Sequence, residues 1–374
     1  MKIGVITWYT GPNYGTNLQA VALQWYLRKQ GHDVHIIDYN EELIRYESHR
    51  TFMERLKRQP YKYAMIYANS KYGKEIALRD KNLSNTIREK CILTEKADTI
   101  ADFVTICNQF DLIIVGSDQL WNPGWYSPVY YLDYDEIKTR RIAYSPSLGV
   151  NSIPPETAEK IRHGLKKFSA ISVREAKGAE LLKQLTDLPP KVTVDPTLLL
   201  NEDDWLSIFP GGNKKISSKY VLSVFLTDNF NHWHAVKKFA QKHNLQHIIV
   251  PYMGFSYFQK GKICADTDLS KLLDLFRSAE YVITDSFHMS VFSIIHKKNF
   301  YVFERFKENL ETSTNSRVKN LLKMAKLEDR YISYNSRHIK DKSDIDYDNS
   351  LSSLEKEILF SREFLIGAIG SDCK

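Results

Sequence analysis

Residues 2–39 read KIGVITWYTGPNYGTNLQAVALQWYLRKQGHDVHIIDY, and their pattern decides the fold. From Lys2 to Tyr9 a loosely alternating apolar run ends in the polar turn Thr10-Gly11-Pro12-Asn13-Tyr14-Gly15. Thr16 or Asn17 can then cap a helix, because a short polar side chain accepts from its unpaired first N–H groups. Leu18, Val21, Ala22 and Trp25 follow at i, i+3, i+4 and i+7, which puts them on one helical face. Gly31 stops the helix, and Val34 to Tyr39 forms the next strand. This strand–helix–strand unit implies parallel strands joined by a right-handed crossover.

The alternation persists outward from this unit. Strands are predicted at about 111–115, 141–144, 170–173 and 192–194, among helices at about 97–109, 155–168, 175–185 and 201–208. Pro210-Gly211-Gly212-Asn213-Lys214-Lys215 is the best linker. Beyond it, strands at about 220–226, 246–251, 281–284 and 300–303 alternate with helices at 232–243, 269–279 and 288–296, and helices near 316–327 and 352–366 close the chain. The pattern predicts an α/β fold of two Rossmann-like, doubly wound domains facing across a cleft. The expected domains are 1–209, carrying a basic helical insertion at about 41–95, and 210–374, with the last helix packing back on the first domain.

The chain has 374 residues, a net charge of +7, 43% hydrophobic and 26% charged residues. This mix excludes a disordered chain, a collagen-like fibre and a small disulfide scaffold. No apolar run reaches the roughly 18 residues of a membrane span, and the N-terminus lacks the flanks and core of a signal peptide. Cys91, Cys107, Cys264 and Cys373 are scattered, with no C-x-x-C pair, which argues against a zinc or dithiol motif and fits a reducing cytoplasm. Between Arg45 and Lys90 stand twelve Lys/Arg and five Asp/Glu, so this stretch carries the whole excess charge. It also holds Tyr46, Phe52, Tyr61, Tyr63, Tyr67 and Tyr72. Such a segment suits an anionic partner or, alternatively, a solvated helical insertion with its tyrosines on the core. No nucleic-acid-binding motif is present.

In open α/β sheets ligands bind beyond the carboxyl ends of the strands. Thr10 to Asn17, Gly116 to Asn122, Ser145 to Gly149, Arg174-Glu175 and Asp285-Ser286-Phe287-His288 all fall there. The last is the sharpest: a buried strand stops at Thr284 and a helix begins near His288, with its positive end free for an anion. His288 can exchange a proton near neutral pH; the competing reading has Ser286 capping the helix and His288 satisfying a buried carbonyl. Arg174 can grip a carboxylate or phosphate through two N–H groups, or else pair with Glu175 or Glu180 at the surface. Arg317, at another helix start, is a further anion candidate. Asp38 stands about where a dinucleotide fold places its ribose acid, but no G-x-G occurs anywhere. Asp133-x-Asp135, Asp266-x-Asp268 and Asp344-x-Asp346-x-Asp348 lack the glycine and terminal glutamate of a calcium loop. His232-x-His234 and the His243/His247 pair lack a third metal ligand. There is no H-E-x-x-H, no G-x-S-x-G and no phosphate-binding P-loop.

Taken in order, Asn13-Tyr14-Gly15-Thr16-Asn17-Leu18-Gln19-Ala20, Val115-Gly116-Ser117-Asp118-Gln119-Leu120-Trp121-Asn122, Ser172-Val173-Arg174-Glu175, Val194-Asp195-Pro196-Thr197 and Thr284-Asp285-Ser286-Phe287-His288 resemble the polysaccharide pyruvyl transferase family, from residue 1 to about 325. That family is similar in fold to GT-B glycosyltransferases, and its studied enzymes move pyruvate from phosphoenolpyruvate onto a sugar as a ketal. Two departures stand out. Ser145-Pro146-Ser147 replaces a usual Ala-Ala-Ser, and Met289-Ser290 replaces a usual Gly-Thr, a methionine expected to narrow the helix mouth.

The resemblance implies a transferase with phosphoenolpyruvate as donor substrate, no metal and no other cofactor. It implies catalytic roles for His288 as acid and Asp118 as base, and donor binding by Arg174, Ser286, Met289, Ser290 and Arg317. Asn13, Tyr14, Gln119 and Trp121 would bind the acceptor, with Trp121 stacking on the sugar. The first domain becomes the acceptor side and the second the donor-phosphate side. The acceptor would be a sugar of a cell-surface polysaccharide such as a capsule, or its lipid-linked precursor, met in the cytoplasm at the inner membrane face through residues 45–90. Two other readings stay open. One is a glycosyltransferase using a nucleotide sugar, with Asp266, Asp268 or Glu304 on the ribose; the other is a non-catalytic glycan-binding protein.

Overall fold

The computed structural model describes residues 1–44, 59–212, 218–307 and 314–371. Tyr46, Phe52, the basic residues from Arg45 to Arg58, the Asn213-Lys214-Lys215 part of the linker and Cys373 lie outside the described residues.

Two six-stranded sheets form, and every pairing in them is parallel. The first contains β1 (Lys2–Ile6), β2 (Asp33–Ile36), β3 (Leu112–Val115), β4 (Arg140–Ala143), β5 (Ala170–Val173) and β6 (Lys191–Val192), in the order β2-β1-β3-β4-β5-β6. The second contains β7 (Tyr220–Val224), β8 (Gln246–Ile249), β9 (Lys262–Ile263), β10 (Tyr281–Thr284), β11 (Asn299–Phe303) and β12 (Tyr331–Ile332), in the order β12-β11-β10-β7-β8-β9. Leu112-Ile-Ile-Val115 and Tyr220-Val-Leu-Ser-Val224 are buried throughout, as strands covered on both faces must be. The strand order reverses between β1 and β3 and again between β7 and β10. Each reversal opens a crevice at the carboxyl ends.

The helices are α1 (Tyr14–Lys29), α2 (Gln59–Lys90), α3 (Ile100–Cys107), α4 (Pro155–Leu165), α5 (Ala176–Leu182), α6 (Glu202–Ile208), α7 (Phe230–Lys242), α8 (Leu269–Ser278), α9 (Phe287–Ile295), α10 (Asn315–Met324) and α11 (Tyr347–Gly370). α1 starts earlier than its expected caps: Asn13 Oδ1 accepts from Gly15 N at 3.0 Å, and Tyr14 is already helical. α2 has one non-helical residue inside it, Tyr72. The capping box of α6, Asn201 with Asp204, matches its sequence signature.

One apolar cluster runs from α1 through α6 and α9 to α10 and α11, so the inner helices of both sheets share a core. Trp205 of α6 meets Phe292 of α9 edge-on at 4.9 Å. α11 bonds to the first sheet's side: Arg140 donates to Ala368 O and Ile369 O at 2.7 and 2.6 Å, Val194 N donates to Ser361 Oγ, and Arg362 donates to Leu199 O.

Candidate active site

The strand ends of the two sheets meet where α9 approaches α1. Gly15, in the first turn of α1, faces the imidazole of His288. A Cβ built on Gly15 would lie 2.1 Å from His288 Nδ1, so only glycine allows this approach. His288 Nε2 lies 3.5 Å from Asp195 Oδ2, and the same oxygen is 3.3 Å from Arg174 Nη2. An imidazole of the second domain and a guanidinium of the first thus share one carboxylate. Asp195 caps the turn after β6, taking the backbone N–H and the hydroxyl of Thr197 on Oδ1.

Arg174 follows β5 and is buried, not a surface partner of Glu175 or Glu180. Its Nη2 donates to Ser117 Oγ at 2.9 Å and lies 3.6 Å from Asp118 Oδ1, while its Nε and Nη1 find no hydrogen-bond partner. The guanidinium also lies over the Phe287 ring at 4.9 Å. Asp118 takes the Thr16 hydroxyl on Oδ2 at 2.7 Å. The β3–loop segment carrying it is tight: a Cβ on Gly116, at φ +127°, would meet the Tyr144 carbonyl at 2.1 Å, and Asp118 itself has φ 65°. Burial alone would raise the carboxyl of Asp118, but Arg174 and then His288 outweigh it and hold it below the ordinary range. Asp195 is pulled down in the same way and further.

Three arginines converge here. Arg317, in the first turn of α10, is buried; burial first, then repulsion from Arg174 and Arg305, lowers its guanidinium to about 10. Arg305 lies two residues past β11, and its Nε is buried without a partner. Asn320 of α10 donates to the Arg174 carbonyl at 3.3 Å, which fixes α10 against β5.

A cavity of about 960 Å³ opens beside this cluster, between the β1–α1 turn, the end of β2 and α2. Trp8, Tyr9, Asn13, Thr16, Asp38 and Arg88 are among its walls. Thr16 touches both cavity and Asp118, so the charged cluster and the cavity are contiguous.

Of the residues read from sequence, His288, Asp118, Arg174 and Arg317 come together. Asn13 lines the cavity, and Ser286 caps α9 by accepting from Met289 N at 3.5 Å. The Gln119 amide lies against Gly149 with its Nε2 buried and unpartnered. Four expectations need correction. Trp121 is sealed in the core, stacked on Tyr131 at 5.2 Å with its N–H on Tyr130 O, so no sugar reaches it. Tyr14 is buried, and its hydroxyl donates to Thr267 O of the other domain; it joins domains. Met289 turns into the apolar core instead of narrowing the helix mouth. Ser290 is buried, returning its hydroxyl to Ser286 O within α9. Asp195, Ser117, Thr16, Arg305 and Trp8 were given no part in the site; Thr16 and Ser117 stand in the strand-end loops and Asp195 directly beyond a predicted strand, whereas Arg305 and Trp8 carried no such signal. No cluster able to hold a metal ion occurs among the described residues.

Residues 13–305 match a family model described as polysaccharide pyruvyl transferase. No curated protein matches the chain. Solved structures similar to it include one from Listeria monocytogenes assigned as a UDP-N-acetylglucosamine 2-epimerase, at 10% identity and TM-score 0.53, covering 99% of this chain and 91% of its own. A UDP-GlcNAc 2-epimerase from Methanocaldococcus jannaschii is 12% identical with TM-score 0.51, covering 95% of this chain and 92% of its own. S. aureus MnaA, solved with UDP, is 10% identical with TM-score 0.50, covering 100% and 99%. At such identities the likeness is one of fold, the GT-B arrangement of two Rossmann-like domains.

Proposed function

The chain belongs to the polysaccharide pyruvyl transferase family, and we propose that it moves pyruvate from phosphoenolpyruvate onto a sugar, forming a cyclic ketal. The observation that carries this reading is the meeting of His288 with Arg174 across Asp195, beside arginine N–H groups that lack partners. Phosphoenolpyruvate bears a carboxylate and a phosphate, so its site needs several cations and one proton donor, and this cluster has both.

The chemistry then follows from charge. His288, whose Nε2 lies 3.5 Å from Asp195 Oδ2, gives its proton to the donor's methylene carbon. The adjacent carbon becomes electron-poor, and a sugar hydroxyl adds to it, returning its proton to His288. A second hydroxyl closes the ring as the phosphate leaves with that hydroxyl's proton. Overall, one hydroxyl proton ends on the new methyl group and the other on phosphate. Asp118 is a poor base in this scheme, because a carboxylate that Arg174 and His288 hold below the ordinary range accepts protons weakly. Its place is to position Thr16 and to balance Arg174.

The 960 Å³ cavity is the acceptor site in this reading. Trp8 and Tyr9 offer ring faces to a sugar and Asn13 an amide, in place of Trp121. A lipid-linked acceptor at the cytoplasmic membrane face agrees with the outer surface of α2. There Tyr63 is 67% and Ile66 56% exposed, beside Lys62, and Tyr67 stacks on Phe258 at 4.3 Å.

Thermal stabilisation tests the donor, since a ligand that favours the native state raises its melting point. Phosphoenolpyruvate is expected to stabilise the protein, and Arg174→Ala to lose that effect. Stabilisation by nucleotide sugars alone would make it a glycosyltransferase instead. His288→Ala is expected to bind the donor yet turn over about 10²–10⁴-fold more slowly; full turnover would remove the imidazole from the mechanism.

A further inference from the structure

Asp38 stands two residues past β2 and has no part in the chemistry above, yet it lines the 960 Å³ cavity. Its backbone is clamped on both sides: its N–H donates to Thr94 Oγ1 at 3.0 Å, and its carbonyl accepts from Ala97 N at 2.9 Å. Its Oδ1 accepts the Tyr9 hydroxyl at 2.5 Å. Burial first, then this carboxylate, push the Tyr9 hydroxyl up, so it stays a donor. Oδ2 takes no hydrogen bond and no salt bridge among the described residues. Asp38 is half-buried. The other two carboxylates of the cavity differ: Asp80 is paired with Arg79 at 2.8 Å, and both Asp80 and Glu41 are exposed.

An ionised carboxylate only accepts, with about four lone-pair positions on its two oxygens, and Tyr9 fills one of them. Two hydroxyls on adjacent carbons of a sugar ring suit what is left, one to each oxygen, and hydrogen bonds to a charged acceptor are the strong kind. None of Asp38's hydrogen bonds reaches the charged cluster around His288. The wall residue that touches the cluster is Thr16, through Asp118. A ring held at Asp38 is therefore a different one from the ring that presents its hydroxyls to the donor. The cavity has room for both: its volume lies at the upper end of the roughly 300–1,000 Å³ usual for small-molecule sites.

We infer that Asp38, held in place by Tyr9, is an acceptor-specificity residue: it binds two adjacent hydroxyls of a sugar ring that is not itself pyruvylated, so the acceptor carries at least two rings. The inference rests on the reading of the cavity as the acceptor site. Asp38 moves no proton in it; it fixes the distal ring so that the reacting ring stays seated by Thr16. A ribose presents the same pair of hydroxyls, but the chain lacks the G-x-G that brings backbone against a pyrophosphate, which favours a glycan over a nucleotide here.

An array of immobilised disaccharides of hexoses and N-acetylhexosamines, with their single-deoxy analogues, tests this on the full-length protein, and UDP is titrated beside it by calorimetry. Wild type is expected to retain a subset of the disaccharides and to release those in which either of two adjacent hydroxyls of one ring is replaced by hydrogen. Asp38→Asn is expected to weaken the retained set about tenfold or more, with its melting temperature unchanged because the amide oxygen still accepts from Tyr9. Tyr9→Phe, which frees the carboxylate to turn, is expected to weaken the same set by a smaller factor. Equal retention by wild type and Asp38→Asn overturns the inference, as does retention of no disaccharide by wild type. Should Asp38→Asn melt lower, the deoxy series on wild type decides: indifference to every single hydroxyl overturns the inference. UDP binding that is lost in Asp38→Asn assigns the hydroxyl pair to a ribose and overturns it too. Stabilisation by phosphoenolpyruvate decides the donor separately: if it fails while disaccharide binding still needs Asp38, the glycan site stands and pyruvyl transfer falls.

Discussion

At the residue scale, the site depends on a glycine. Adding one methyl group at Gly15 places it 2.1 Å from His288 Nδ1, and the ring must move off Asp195. Gly15→Ala is therefore expected to cost about 1–3 kcal/mol of stability from overpacking, and to slow turnover nearly as far as His288→Ala does. Turnover and melting temperature measured on the same preparation check this; a stable, fully active Gly15→Ala protein would contradict the described approach. Asp195→Asn removes the charge shared by Arg174 and His288. Its expected loss is about 3–5 kcal/mol, as for a buried ion pair missing one partner, read from urea unfolding. Sequence showed His288, Arg174 and Asp118 because each follows a recognisable strand end. It did not show their shared carboxylate, because contact across domains leaves no local pattern. Trp121 misled for a related reason: its neighbours Asp118 and Gln119 lie at the strand end, but the chain turns inward within three residues and buries the ring between Tyr131 and Phe168.

At the scale of elements, strands built on runs of apolar residues, such as β3, β7 and β10, were legible because burial on both faces demands such runs. β9 and β12 were not. Each has two residues and joins a sheet edge through backbone bonds, which ask nothing of the side chains. α2 was read as a basic helical insertion, and its geometry now separates its faces. Ala64, Ala68, Ile76, Leu83 and Ile87 are buried, with Ala64 tight against Gly254 of the second domain. Tyr63 and Ile66 point outward beside Lys62, and Phe258 at 47% and Phe230 at 66% exposure extend the apolar surface. An outward aromatic face with basic neighbours favours an anionic bilayer surface. The protein is expected to sediment with vesicles of phosphatidylcholine doped with phosphatidylglycerol, less so at high salt, and poorly with phosphatidylcholine alone. The Tyr63→Ser/Ile66→Ser double variant should lose most of this binding with its melting temperature unchanged. Equal sedimentation of the double variant would assign the interaction to another surface.

At the scale of the whole molecule, acid sensitivity and cooperativity are linked. His232 and His247 belong to the second domain, and burial lowers both to about 4. His232 stacks on Phe303 at 4.3 Å, and His247 Nε2 is 3.0 Å from Ser223 Oγ. Unfolded, each would take a proton near the ordinary histidine value of 6.5. Between about pH 6.5 and 4 the unfolded chain therefore binds more protons than the native one, and stability falls as pH falls. Each histidine contributes on the order of 2–3 kcal/mol across that window. The depressed carboxyls of Asp118 and Asp195 act lower down: their contribution is complete above about pH 4 and is lost only below it. These two histidines thus sit in the second domain, where the Asp228 carboxyl, pushed up by burial to about 6, opposes them by adding stability as pH falls, and the buried ion cluster straddles both domains. Yet the apolar core runs unbroken from α1 to α11, and α11 is bonded to the first sheet's side. Protonating the second domain should then bring down the first. Urea unfolding at pH 5 is expected to show a lower midpoint than at pH 7.5, with far-ultraviolet dichroism and tryptophan fluorescence changing together, since Trp121 reports the first domain and Trp233 the second. His247→Gln should flatten the pH dependence. Separate transitions would mean that the shared core does not couple the domains, and a pH-independent midpoint would mean that these imidazoles are not held neutral.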